Sequence, residues 1–135
     1  MKLILQTDGG ARGNPGPAGI GMVIEDAETK ETLVEHGEFI GHATNNVAEY
    51  RALLWGLKKC HELHAEHVEV RADSELLVKQ MNGEYRVKNP DLAQLYLIAK
   101  NLGVLIGHVT YYHVPRIQNK RADALANKAM DEAAR

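Results

Sequence analysis

Four acidic residues, Asp8, Glu49, Asp73 and Asp123, fall where separate elements of this chain end or begin. Gathered within ~4 Å of one another, carboxylates repel by roughly 4 kcal/mol per pair at an effective dielectric of 20, a cost that divalent cations remove. Hard oxygen donors with no accompanying His or Cys cluster suit Mg²⁺ or Mn²⁺ rather than zinc. Each acid also has a purely structural reading. Asp8 precedes Gly9 and Gly10 and is of a type that caps turns. Asn46 and Glu49 have the spacing of a helix capping box. Asp73 can cap a helix starting at Ser74 or Glu75, and Asp123 suits the first turn of a helix through the dipole. It is the combination that points to chemistry, because all four positions can converge on one edge of a sheet. His61, His64 and His67 offer a second metal reading, zinc or nickel, but no fourth ligand accompanies them and a helix C-terminus favours His in any case.

The elements that must position these acids follow from periodicity. Leu3, Ile4 and Leu5 form a short apolar run that reads as a buried strand, leading into Thr7 and Asp8 at its end. An ionised Asp there must be neutral or face a cation. Residues 18–25 and 32–40 read as strands joined by a polar turn through Glu28, Thr29 and Lys30, giving an antiparallel meander. A helix is expected over about 46–64, with Val47, Tyr50, Leu54 and Leu57 on one stripe and Glu49, Leu53, Leu57 and Cys60 on another. Val68, Val70 and Ala72 alternate with Glu69, Arg71 and Asp73 as in a half-buried strand. A helix then runs to about Asn82, where Gly83 stops it. The next begins near Pro90 with Leu92, Leu95, Ile98 and Ala99 as its apolar face. Residues 104–114 read as the last strand, 115–118 as a loop, and a final helix from about Asn119 places Asp123, Ala126 and Met130 on one face.

A chain of 135 residues, 44% hydrophobic and 25% charged, matches one domain spanning 1–135 and able to bury about two-thirds of its unfolded surface. The N-terminus lacks a signal-peptide pattern and no run approaches the ~18 apolar residues of a membrane span, so the expectation is a cytoplasmic protein with no membrane partner. Cys60 is the single cysteine; no internal disulfide is possible, and its place reads as core packing. The net charge of −2 is unevenly placed: residues 76–122 carry seven basic side chains against Glu84 and Asp91, a balance of +5, and the remainder holds −7. A basic surface opposite an acidic site is compatible with a nucleic-acid partner.

Four stretches resemble the motifs of the type 1 ribonuclease H family, in order and over nearly the whole chain: TDGGARGNPGPAG at 7–19, TNNVAEYRAL at 44–53, RADSELLVKQM at 71–81 and NKRADALAN at 119–127. The resemblance implies an α/β ribonuclease H-like fold, a five-stranded mixed sheet with helices on both faces. It places the catalytic, metal-holding carboxylates on Asp8, Glu49, Asp73 and Asp123, with two Mg²⁺ or Mn²⁺ ions per site when substrate is bound. Asn14, Asn45 and Asn46 match positions that contact the RNA minor groove and its 2′-hydroxyls, which suits amides that both donate and accept. Thr44 and Asn89 match positions that hold a phosphate of the DNA strand. The implied activity is hydrolysis of the RNA strand of RNA/DNA hybrids, leaving 5′-phosphate and 3′-hydroxyl ends, with no obligate protein partner. Three features depart from the family's usual pattern: His42 stands where an Arg precedes the TNN motif, Arg116 occupies the loop that commonly carries a His, with His113 back at the strand end, and residues 83–89 are too few for a long basic protrusion. Two other functions share parts of the pattern, a catalytically weak or inactive module binding hybrid or duplex RNA, and a resolvase- or transposase-like nuclease acting on DNA, for which the asparagines are not needed.

Overall fold

The computed structural model describes residues 1–135. Five strands, β1 (Lys2–Ala11), β2 (Gly16–Asp26), β3 (Thr32–Ala43), β4 (His67–Ala72) and β5 (His108–His113), form one sheet in the order β3-β2-β1-β4-β5. The meander β1-β2-β3 is antiparallel, and β4 and β5 add in parallel beyond β1. This is the expected five-stranded mixed sheet. Four helices complete it: α1 (Asn45–Glu62), α2 (Glu75–Met81), α3 (Pro90–Ile106) and α4 (Lys120–Ala133).

Two layers of side chains hold the sheet. Leu3, Leu5, Val68 and Val70 belong to the larger core with Tyr50, Leu53, Leu57 and Cys60 of α1, all at most 1% exposed. On α1 the buried stripe is the one carrying Glu49, as its spacing predicts. Burial pushes the Cys60 thiol up to about 12, which leaves it inert. On the opposite face Ala122, Ala126 and Met130 of α4 are buried against the sheet. A Cβ on Gly21 would overlap the Ala122 carbonyl, so α4 lies with its backbone directly on β2. No helix is long and apolar enough to cross a membrane.

Four expectations need correction. The first strand does not end at Asp8: Gly9, Gly10 and Ala11 pair with Ile20, Gly19 and Ala18, so there is no turn there for Asp8 to cap. The last strand is shorter than 104–114, because α3 continues to Ile106 and stops at Gly107, whose φ is 118°. Leu92, Ala99 and Ile106, seven residues apart, are the buried positions of α3, while Ile98, expected on the apolar face, is 48% exposed. A β-branched, apolar run at a helix C-terminus looks like strand when read alone. Finally, residues 116–119 form a 3-10 turn rather than open loop.

Candidate active site

The register of the sheet places the acids. The last paired residues of the parallel neighbours β1 and β4 are Thr7 and Ala72, so Asp8 and Asp73 follow side by side at the carboxyl end of the sheet. Glu49 arrives from the first turns of α1. A Cβ on Gly9 would overlap the Ala48 carbonyl, and this close approach lets the Gly9 backbone N–H donate to Glu49 Oε1 at 2.5 Å. One ligand atom from each of Asp8, Glu49 and Asp73 lies within 4.8 Å of the others. Asp8 is opposite Gly21 of β2, the residue on which Ala122 rests, so Asp123 is delivered to the same cleft, near enough to Asp8 to act on its carboxyl.

Their capping alternatives do not hold. Thr44, not Asn46, caps α1, accepting from Val47 N at 3.2 Å, and Glu49 reaches across to β1 instead of back to its own helix. Ser74, not Asp73, caps α2, accepting from Leu77 N at 3.2 Å. The histidines do not assemble: the triad of Asp8, Glu49 and Asp73 is the single group of three ligand-type side chains close enough to hold an ion.

The electrostatics are those of a crowded anion cluster. Asp8 and Glu49 are each only 8% exposed. Burial is the main reason that the Asp8 carboxyl is raised far above its ordinary value, followed by the charges of Glu49 and Asp73 and the neighbouring Asp123. Glu49 is raised chiefly by burial; the Gly9 N–H pulls it back and the Asp73 charge raises it further. Arg116 is the one cation in contact with the cluster, 3.3 Å from Asp123, and its side chain is 75% exposed. Buried carboxylates with so little cationic compensation form a donor set suited to hard divalent metals.

Around them is a cleft of about 450 Å³ whose walls include Arg12, Asn45, Asn46, Ser74, Arg116 and Asn127. Asn14 lies just behind it: its Oδ1 accepts from the Asn45 backbone N–H at 3.0 Å, and Asn45 Oδ1 in turn accepts from Ala11 N at 2.7 Å. With both oxygens so engaged, the two side-chain amides keep their N–H groups free to donate. Thr44 and Asn89 are outside the walls, and each is a helix N-cap; Asn89 Oδ1 accepts from Asp91 N at 2.8 Å and Leu92 N at 3.3 Å.

Sequence reasoning does not find Arg12, Ser74, Asn119 or Asn127. Arg12 crosses from the β1–β2 loop to Asp131 of α4, at 2.5 Å. Asn119 stands at the N-cap of α4 yet makes no cap bond; its Nδ2 donates to the Thr7 carbonyl at 2.8 Å. It is 1% exposed, and its Oδ1 is the one buried side-chain polar atom in the chain without a partner, an arrangement that costs about 1–3 kcal/mol. The signal was present in part, since Asn119 precedes Asp123 by one helical turn.

Comparison with known proteins agrees with this geometry. The family described as reverse transcriptase-like matches residues 6–129. A bifunctional protein of Mycobacterium tuberculosis is 49% identical over 134 residues, which cover 99% of this chain but 37% of that protein, so the chain spans little more than a third of this relative. Ribonuclease HI of Halobacterium salinarum is 42% identical over 126 residues, covering 93% of this chain and 63% of its own length. The structure of LC11-RNase H1 in complex with an RNA/DNA hybrid superimposes with a TM-score of 0.93 at 45% identity, covering 98% of this chain and 99% of that one. Motifs, sheet order, the carboxylate edge and these likenesses agree, and the chain belongs to the type 1 ribonuclease H family.

Proposed function

We propose that this protein hydrolyses the RNA strand of RNA/DNA hybrids. The observation that carries the reading is the convergence of Asp8, Glu49 and Asp73 within 4.8 Å at the mouth of a cleft also lined by Asn45 and Asn46. Asp8, Glu49, Asp73 and Asp123 would hold two Mg²⁺ or Mn²⁺ ions, and these, when bound, supply activation of the attacking water and stabilisation of the leaving 3′ oxygen, giving 5′-phosphate and 3′-hydroxyl ends.

The chain's own residues do the rest. Gly9 N–H fixes the Glu49 carboxylate against β1, so Glu49 meets Asp8 and Asp73 without rotamer search. Asn14, Asn45 and Asn46 read the RNA strand through its 2′-hydroxyls, the group that separates RNA from DNA. Thr44 and Asn89, as N-caps of α1 and α3, set helix N-termini where backbone N–H groups can take phosphates of the DNA strand. Arg116, exposed beside Asp123, is placed to exchange that carboxylate for a substrate phosphate.

The test is direct. Purified protein is incubated with end-labelled RNA/DNA hybrid, duplex DNA and duplex RNA, each with Mg²⁺ or Mn²⁺. Cleavage confined to the RNA of the hybrid is expected. Hybrid binding without cleavage would leave a binding module, and cleavage of duplex DNA would place the protein with resolvase-like nucleases.

A further inference from the structure

The composition of α3 does not suit a surface helix. From Leu92 to Ile106 it carries one charged side chain, Lys100, whereas a helix with one face in water normally has a charged outer face. Even that cation is turned aside: Lys100 Nζ donates to the Met81 carbonyl at 2.9 Å and lies 5.6 Å from the Tyr96 ring. Gln94 and Asn101 apart, what remains outward is largely apolar. Leu97 is 59% exposed, Ile98 48%, Val104 79% and Leu105 63%. Beside Ile98 lies a hollow of about 320 Å³ between α1 and α3, its floor formed by Leu54, Trp55, Leu95 and Leu102 and its rim by the charged Glu38, Arg51 and Lys58. Contiguous exposed apolar surface of this kind marks a contact site.

The order of residues along the stripe says what fits it. Asn101 is central. Three residues to either side stand Ile98 and Val104, and four residues to either side stand Leu97 and Leu105. Positions three and four apart share a helix face, so the five residues form one patch that reads the same in both directions. An isologous contact requires such self-complementarity. With a two-fold axis through Asn101, antiparallel copies of α3 set Asn101 against Asn101, Ile98 against Val104 and Leu97 against Leu105. The amide can donate and accept, so it pairs with its own copy. The five residues of the patch bear no charge, so two copies of it meet without like charges opposed.

We propose that α3 is the contact face of a weak, reversible homodimer of this chain. The patch spans about 12 Å of helix, well short of the ~800 Å² per partner of a standard stable interface, so association lies in the micromolar range or weaker. No residue of α3 lines the carboxylate cleft, and both clefts stay open in such a dimer.

Sedimentation velocity on the full chain over roughly 5 to 500 µM tests the proposal. The weight-average mass is expected to climb from that of one chain toward that of two. Leu97→Lys alone and Leu105→Glu alone each weaken association at least tenfold. Together they restore it, because the two new charges oppose one another across the axis, and this recovery also shows that the single variants are folded. Asn101→Cys gives a reducible covalent dimer under mild oxidation, a reaction in which buried Cys60 takes no part. The proposal is overturned by a single-chain mass at the highest concentration, by association that survives Leu105→Glu, or by a double variant that stays monomeric.

Discussion

Replacing Asp8 by Asn removes one charge from the crowded cluster, and without metal the variant is expected to be more stable than the parent by an amount that grows with pH. The sign follows from proton binding. The Asp8 carboxyl rises from an ordinary value of 3.8 to about 9, so in the interval between these the folded chain keeps a proton that the unfolded chain has lost. Its contribution is fully present below the lower value and is lost as pH rises toward the upper one, at up to ~1.4 kcal/mol per pH unit. From pH 5 to pH 7 this amounts to roughly 2–3 kcal/mol for the parent and to nothing at an Asn. A chain of 135 residues has an unfolding entropy of roughly 280 cal/mol/K, so 1 kcal/mol corresponds to ~3.5 °C. The parent's Tm should therefore drop by roughly 9 °C more than the variant's over these two pH units. Calorimetric melts in chelator at pH 5, 6, 7 and 8 read this directly. Parallel curves for the two proteins would refute the reasoning, and a variant that melts lower throughout would mean that the Asp8 carboxyl supports the fold after all. The same variant should lose hybrid cleavage.

Asn14→Ala and Asn45→Ala should each lower kcat/KM on hybrids by about 1–3 kcal/mol, roughly 5- to 150-fold, as measured by steady-state cleavage with saturating metal. Asn119→Ala should weaken Mn²⁺ binding in calorimetric titration by roughly 10- to 100-fold, since it unties the strand and the helix that carry Asp8 and Asp123. Arg86 and Lys88, two of the seven basic side chains of residues 76–122, stand beside Asn89, so reversing both to Glu should weaken hybrid binding, raise KM and flatten its salt dependence while kcat holds, because neither lines the carboxylate cleft; an unchanged slope between low and moderate salt would show that the hybrid approaches by another surface.

How much of this was legible in the sequence depends on the length scale of the signal. Strand and helix periods located the sheet and the four helices, and the stripe through Leu53, Leu57 and Cys60 correctly turned Glu49 inward. Local pattern failed where tertiary contacts decide. Gly9 and Gly10 look like a turn until β2 pairs with them, and Val104 to Ile106 look like a strand until Ile106 is buried one heptad beyond Ala99. Asn119 was invisible for the same reason: an Asn at a helix start announces a cap, and nothing near it in sequence reveals that its amide goes to Thr7.

The Asn119–Thr7 bond joins residues 112 positions apart, and the acids it serves lie at 8, 49, 73 and 123. No fragment emerging from the ribosome holds them all until α4 has been made, and β1 cannot take its central place before β4 has been synthesised. Contacts of such long sequence separation form late, after the local hairpin and helices. If the cluster carries the hydrolysis proposed above, that activity is deferred: a chain lacking α4 has neither Asp123 nor the Asn119–Thr7 bond, so full competence to cut would come abruptly, with the helix that supplies them, and not gradually as the protein grows.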